Sequence, residues 1–462
     1  MKKQTKKMMN LLLVFAMLIT MLTGCGGKSE DSSGTDSAAS ARSGSESEAG
    51  ETAQADASGD KVQLTIAMWG DEARAEAYQK TLAPFCEANN CTVKIELVPI
   101  GDFFDKLASQ LGAGTAPDVF WLADAKEATF IQGGWCANLK DVLTADASYN
   151  FDDFYTDAIT STDYGDGGVY GVPFSFGARA IFYNKTMFEN AGLKTPDEYV
   201  AEGNWTYETM FDLASQISAA DSTKVGLKLW CVGQATNGVQ NFADILPAYG
   251  ANLLNEDSTE FTLDSPEGIK VTQMVYDSMY TNGGHAKPGD DVAFVSGNVG
   301  MARECYSYMK SMVEGNVDFE WGIVPQPYGS KGAEGKQYTG YAYWCANETS
   351  PNRDLAVELV KFVTNPENQL AWCSTFMCPR TSVMESAEIL NPGEGYPPAE
   401  DIKASFVDCV AERGLFSYRG TSEWNLLSNA VEQTYEMIWA GAYSVEEGIA
   451  EMKAAVEPYL NK

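Results

Sequence analysis

Apolar and polar residues alternate over Val62–Trp69 (VQLTIAMW) and again over Thr92–Pro99 (TVKIELVP). This period of two, in segments rich in β-formers, predicts two strands. Between them Asp71–Glu87 reads as a helix, with Tyr78, Leu82 and Phe85 roughly in register. Asp102–Leu111 reads as a second helix, with Phe103, Phe104, Leu107 and Leu111 on one face. Gly112–Pro117 breaks it, and Asp118–Leu122 is a third strand. Strand, helix, strand, helix, strand implies right-handed crossovers and a parallel α/β sheet. Ligands of such sheets bind beyond the carboxyl ends of the strands. That rule places Trp69-Gly70-Asp71 and Trp121-Leu122-Ala123-Asp124 side by side at one rim. Later helix starts are written in Asp264-Ser265-Pro266-Glu267, in Ser350-Pro351 and in the capping box Ser444–Glu447.

The stretch Gly171–Phe188 (GVPFSFGARAIFYNKTMF) breaks the pattern informatively. Gly171–Phe174 is extended, and Ala180–Tyr183 is a strand too apolar to be half exposed. Ser175, Gly177 and Arg179 stand between them, where a core strand carries Val or Ile. Two strand pieces with a polar middle predict a chain that leaves one packed body and enters another at the mouth of a cleft. Phe174 and Arg179 would then line that cleft from below.

Composition adds a compartment. Lys2, Lys3, Lys6 and Lys7 precede the apolar run Leu11–Met21, which is short for a membrane span and right for a secretory signal over residues 1–24. The run ends Leu22-Thr23-Gly24-Cys25, similar to a bacterial lipobox, so Cys25 is the expected site of a lipid anchor; the plain alternative is an ordinary signal with a chance cysteine. Residues 25–60 follow as a tether: Gly26–Asp60 holds no Val, Ile, Leu, Met or aromatic residue and cannot bury enough surface to order itself. As a coil it reaches roughly 30–35 Å. The body, Lys61–Lys462, exceeds the usual size of one core, so two lobes are expected. Without the four signal lysines, 28 basic residues face 64 acidic ones, a balance of −36 that repels nucleic acid and anionic lipid.

Catalysis has little to stand on. His285, in the turn-like NGGHAKPGD, is the single histidine, which rules out His-dependent triads and His-rich metal sites and reads as a surface loop residue. There is no GxSxG, P-loop, GxGxxG or Cys/His metal spacing, and no cofactor is expected. Asp163 and Asp166 lack the EF-hand set and read as a hairpin turn. Nine cysteines remain besides Cys25; Cys86/Cys91 and Cys373/Cys378 are close enough in sequence to bridge, and the alternative is that most are small buried hydrophobes.

The ordered series of segments resembles a known family. FFDKLASQLGAGTAPDVFWLADA, YGVPFSFGARAIFYNKTMFENAGL, NWTYETMFDLASQI, GNVGMARECYSY, WGIVPQPYGSKG, TGYAYWCANETSPNRDLAVELVKFV and CPRTSV resemble the extracellular sugar-binding lipoproteins of ABC importers, the maltodextrin-binding-like group of family 1 solute-binding proteins. The likeness spans Val62–Leu460. It implies a two-lobed α/β periplasmic-binding fold of type II, with lobes of residues 61–175 plus 338–372 and 176–337 plus 373–462 joined by three crossings. It also implies a monomer that captures a sugar and hands it to membrane permease subunits at the outer face of the cell membrane.

A sugar presents apolar C–H faces and a rim of hydroxyls, so its site needs flat aromatics beside forked hydrogen-bonding groups. By the resemblance, Trp121 and Asp124 match stacking and hydroxyl-binding positions, and Trp69 and Asp71 match the first-strand rim. Trp230, Tyr306, Tyr341, Tyr343, Arg380 and Trp424 complete the expected site. Tyr341 and Tyr343 share one strand face, with Trp344 on the other. Gly177-Ala178-Arg179 stands where the maltose-type pattern has a carboxylate, which argues against maltose itself. Two other readings stand beside this one: a binder of a peptide, polyamine or metal complex, and a secreted glycosidase.

Overall fold

The computed structural model describes residues 61–124, 126–229, 244–373, 377–418, 420–421 and 423–461. The expectations for the signal, Cys25, the tether and Trp230 lie outside them.

The first strand is β1 (Val62–Met68), and the helix Glu72–Ala88 carries the chain to β2 (Cys91–Leu97). The helix Ile100–Ala113 leads on to β3 (Val119–Ala123). β2 and β3 both pair with β1 in parallel, as the alternation and right-handed crossovers require. Two more strands complete this sheet: β4 (Val172–Phe176) and the late β10 (Tyr341–Ala346), in the order β2-β1-β3-β10-β4. β10 runs antiparallel to both its neighbours, so the sheet is mixed. Helix Arg353–Val363 buries Ala356, Val357, Leu359, Val360 and Val363.

A second sheet has the order β6-β7-β5-β8, built from β5 (Arg179–Asn184), β6 (Val225–Lys228), β7 (Val299–Cys305) and β8 (Trp321–Val324). Every residue of β5 is buried, because it is a central strand covered on both faces. Helix Tyr207–Ala220 lies so close on β6 that a β-carbon at Gly226 would stand 1.9 Å from the Ala214 carbonyl oxygen. Helix Pro266–Tyr280 buries Val271, Val275 and Met279, and helix Trp424–Trp439 buries Leu427, Val431 and Ile438.

Gly171–Phe188 therefore contributes β4 to one sheet and β5 to the other, with only Gly177 and Ala178 between them. The return passage runs beside it, from β9 (Gln337–Tyr338) through Thr339 and Gly340 into β10. The Gly177 amide donates to Thr339 Oγ1 at 2.9 Å and to the Gly340 carbonyl at 3.1 Å. β9 also pairs with β11 (Leu415–Phe416), which brings residues 414–418 to the same place.

Three expectations change. His285 is buried, not a surface loop residue: its Nε2 accepts the Leu229 amide at 3.2 Å, and burial beside Arg303 holds the imidazole down at about 3. Neither proposed cysteine pair is bridged, and Cys91, Cys373 and Cys378 are buried. Asp163 and Asp166 fold a glycine turn, Asp163 accepting the amides of Gly165 and Gly167, but no strands flank it as a hairpin would need.

Candidate functional site

Between the start of β10 and the β11 segment there is a cavity of about 260 Å³. Glu127, Asp157, Thr160, Ser161, Tyr341 and Tyr343 form one wall, on the side of the first sheet. Asn252, Glu256, Lys336 and the segment Leu415–Tyr418 form the other. Tyr341 and Tyr343 reach it together because they alternate with Ala342 on β10, while Trp344 turns into the aromatic core behind. The Tyr343 hydroxyl is 3.0 Å from Ser161 Oγ. Asp157 ties the walls together, with Lys336 Nζ 3.3 Å from Oδ1 and the Leu415 amide donating to Oδ2 at 3.1 Å.

Three polar atoms on these walls are buried and have no hydrogen-bond partner among the described residues: Glu127 Oε2, the Tyr341 hydroxyl and Asn252 Oδ1. A polar group withdrawn from water without a partner costs on the order of 1–3 kcal/mol. Three such groups around one cavity are explained when a hydroxyl-bearing molecule completes them.

The electrostatics are those of a crowded acidic site. Glu127 is only 2% exposed; burial first, then the Asp124 charge, pushes it up to about 8, against the pull of the Tyr164 hydroxyl and the Gly420 amide. Burial likewise raises Asp124 to about 7, although Arg179, its own backbone amide and the Tyr338 hydroxyl favour its charged form. Asp124 is fixed by its amide donating to the Tyr341 carbonyl at 2.9 Å, and a β-carbon at Gly340 would sit 3.0 Å from its carboxylate. Arg179 is buried and turned to the second sheet's side, where its guanidinium and that of Arg303 hold Asp244 at 2.9 and 3.2 Å. Burial keeps the Tyr341 and Tyr343 phenols far above their ordinary range, so both are hydroxyl donors at any physiological pH.

Of the residues expected from the sequence, Tyr341 and Tyr343 line the cavity, while Asp124 is tied to the Tyr341 carbonyl with Arg179 near it. Others lie elsewhere. Trp121 is 0% exposed: its ring lies 5.0 Å from Trp69, 5.3 Å from Trp344 and 4.6 Å from Phe174, so neither Trp121 nor Phe174 offers a ligand a free face. Trp69 is the partly buried edge of the same cluster. Asp71 caps the helix Glu72–Ala88 by accepting the Arg74 amide at 2.8 Å. The Tyr306 hydroxyl donates to the Ile389 carbonyl at 2.8 Å and its ring packs on Phe406, a tie within the fold. Trp424 stands one ring back from the cavity, 6.0 Å from Tyr418.

Arg380 is the clearest correction. It is fully buried and forks to Gln369 Oε1 (2.8 Å), the carbonyls of Asn150 (2.8 Å) and Thr364 (3.1 Å), and Asp153 (3.4 Å), with its plane over Phe154. Nothing of the fork is left for a ligand. Arg380→Met is expected to cost about 3–5 kcal/mol in urea-unfolding free energy, because Asp153 and two carbonyls lose their charged partner. A variant as stable as the parent would refute this structural role.

Sequence reasoning missed Glu127, Asp157, Asn252, Glu256, Lys336 and Tyr418. Only Glu127 carried a signal, three residues past Asp124 on the same rim.

The profile of the family described as bacterial extracellular solute-binding protein matches residues 80–393. A binding protein of Brucella abortus is 29% identical over 290 residues, 60% of this chain and 65% of that protein, so the match covers less than two thirds of that relative. The galactooligosaccharide-binding protein of Bacillus subtilis is 26% identical over 66% of this chain and 69% of its own length. Among solved structures, the cyclic α-maltosyl-1,6-maltose binding protein of Arthrobacter globiformis superposes with a TM-score of 0.71 at 23% identity, over 86% of this chain and 98% of that one. At that identity the likeness shows a shared two-lobed fold.

Proposed function

The chain belongs to the bacterial extracellular solute-binding protein family, and we propose that it captures a sugar or oligosaccharide in the cavity between its sheets and delivers it to the permease subunits of an ABC importer. The observation that carries this reading is the set of three buried, unpartnered polar atoms beside two tyrosine rings. Hydroxyls of a sugar would fill those valences. The binding of several sugars by relatives and structural neighbours supports the same class. The lobes would be residues 61–175 plus 338–372 and 176–337 plus 373–462, meeting at the crossings around 177 and 340. A ligand touching both walls binds the closed arrangement better than the open one and shifts the population toward it. A lipid on Cys25 and a tether of residues 25–60 would hold the body, acting as a monomer, at the outer face of the membrane.

Calorimetric titration against a panel of mono- and oligosaccharides tests the reading: saturable binding, with the sugar recovered unaltered, is expected. Recovery of hydrolysed sugar would point to a glycosidase instead and sink the proposal. Tyr341→Phe removes one orphan hydroxyl without opening a void. Affinity for the sugar should fall roughly tenfold, the worth of one hydrogen bond, with the melting temperature unchanged or slightly higher. Unchanged affinity would move the site away from β10.

A further inference from the structure

We propose that the cleft selects a ligand bearing a protonated amine, an amino sugar, with its ammonium group seated on Glu127. This rests on the sugar reading above and narrows it. The neighbouring carboxylates have cations: Asp157 has Lys336 at 3.3 Å, Asp244 has Arg179 and Arg303 at 2.9 and 3.2 Å, and Asp124 faces Arg179 and Lys126. Glu127 has none among the described residues. Its Oε1 accepts the Tyr164 hydroxyl at 3.2 Å, the Gly420 amide faces the carboxyl, and Oε2 is left without a hydrogen bond at the cavity wall.

A buried carboxylate in need of a partner is completed best by a positive donor, since a hydrogen bond between charged groups is about twice as strong as one between neutral groups. The other walls suit the rest of such a molecule. Glu256 adds an exposed negative charge at the same cavity, and the lysine lining it is held by Asp157. The orphan Tyr341 hydroxyl and Asn252 Oδ1 remain to hold ring hydroxyls. A linear polyamine would leave those two unfilled, which favours an amine on a hydroxylated frame.

The test uses the full chain in detergent and matched ligands: glucosamine, galactosamine and mannosamine, their neutral parent sugars, their N-acetyl forms, and putrescine. At least one amine should bind roughly tenfold or more tightly than its neutral parent and its N-acetyl form, the difference expected of one hydrogen bond to a charged group. Glu127→Gln should erase that preference, cutting the ratio of amine to neutral-parent affinity roughly tenfold whatever its effect on the neutral parent itself. Neutral sugars binding as well as their amines, or a preference that survives Glu127→Gln, overturns the amine seat and leaves the sugar reading standing. Putrescine binding tighter than every amino sugar, or no binding by any sugar, overturns both.

Discussion

Glu127→Gln is expected to stabilise the unliganded protein at pH 8. A carboxyl group raised from its ordinary 4.5 to about 8 in the folded chain holds its proton where the unfolded chain has released it. The native state then binds more protons between those values, so folding stability falls as pH rises through the window, and the full penalty is present above pH 8. Glutamine keeps the shape and accepts the Tyr164 hydroxyl without carrying the charge. The gain should be about 2–4 kcal/mol at pH 8, and below about 1 kcal/mol near pH 5 where the parent is itself protonated. Differential scanning calorimetry of both proteins across this range is the measurement. A gain that does not shrink toward pH 5 would mean that charge burial at Glu127 is not its cause. Asp124 contributes in the same direction with a window ending near 7, so acidification from pH 8 should by itself stabilise the parent. A group kept at such a cost is one whose benefit appears in the complex.

Trp121→Ala should be the most damaging single change in the first lobe, and chiefly through folding. The ring is buried completely among Trp69, Tyr78, Phe174 and Trp344, with centroids 4.6–5.9 Å apart. Removing it leaves a cavity the size of an indole where three strands meet. Losses for such truncations run to about 3–5 kcal/mol. Urea titration should show a lower midpoint, while the folded fraction still binds ligand with affinity reduced only as far as β10 shifts. A stable variant with lost affinity would return Trp121 to the ligand.

These two residues show how far the sequence is legible. The strands β1, β2 and β3 and the split of Gly171–Phe188 between two sheets follow from local alternation, which tertiary contacts only reinforce. Tyr341 and Tyr343 were legible for the same reason, since a strand assigns alternate residues to opposite faces. Trp121 was not, because an aromatic near a strand's carboxyl end looks identical whether a ligand or three other rings cover it. Arg380 misled in a related way: the fork that suits a sugar's hydroxyls also suits two carbonyls and a carboxylate. Glu127 was overlooked because an acid in the first turn of a helix ordinarily complements the helix dipole in water. Its burial depends on residues near Gly420, almost three hundred positions away in the chain.

The paired passages at Gly177 and Gly340 have a mechanical corollary. Two neighbouring strands laced by the Gly177 amide act as a ribbon, and a ribbon is stiff to shear and stretch but compliant to bending across its flat side. The halves it joins can approach one another without sliding out of alignment. Tyr341, Asp124 and Gly340 sit on that ribbon or against it, at the fulcrum, where displacement during closure is smallest. The groups nearest the fulcrum, Tyr338 and Tyr418 among them, would therefore stay in register as the halves approach.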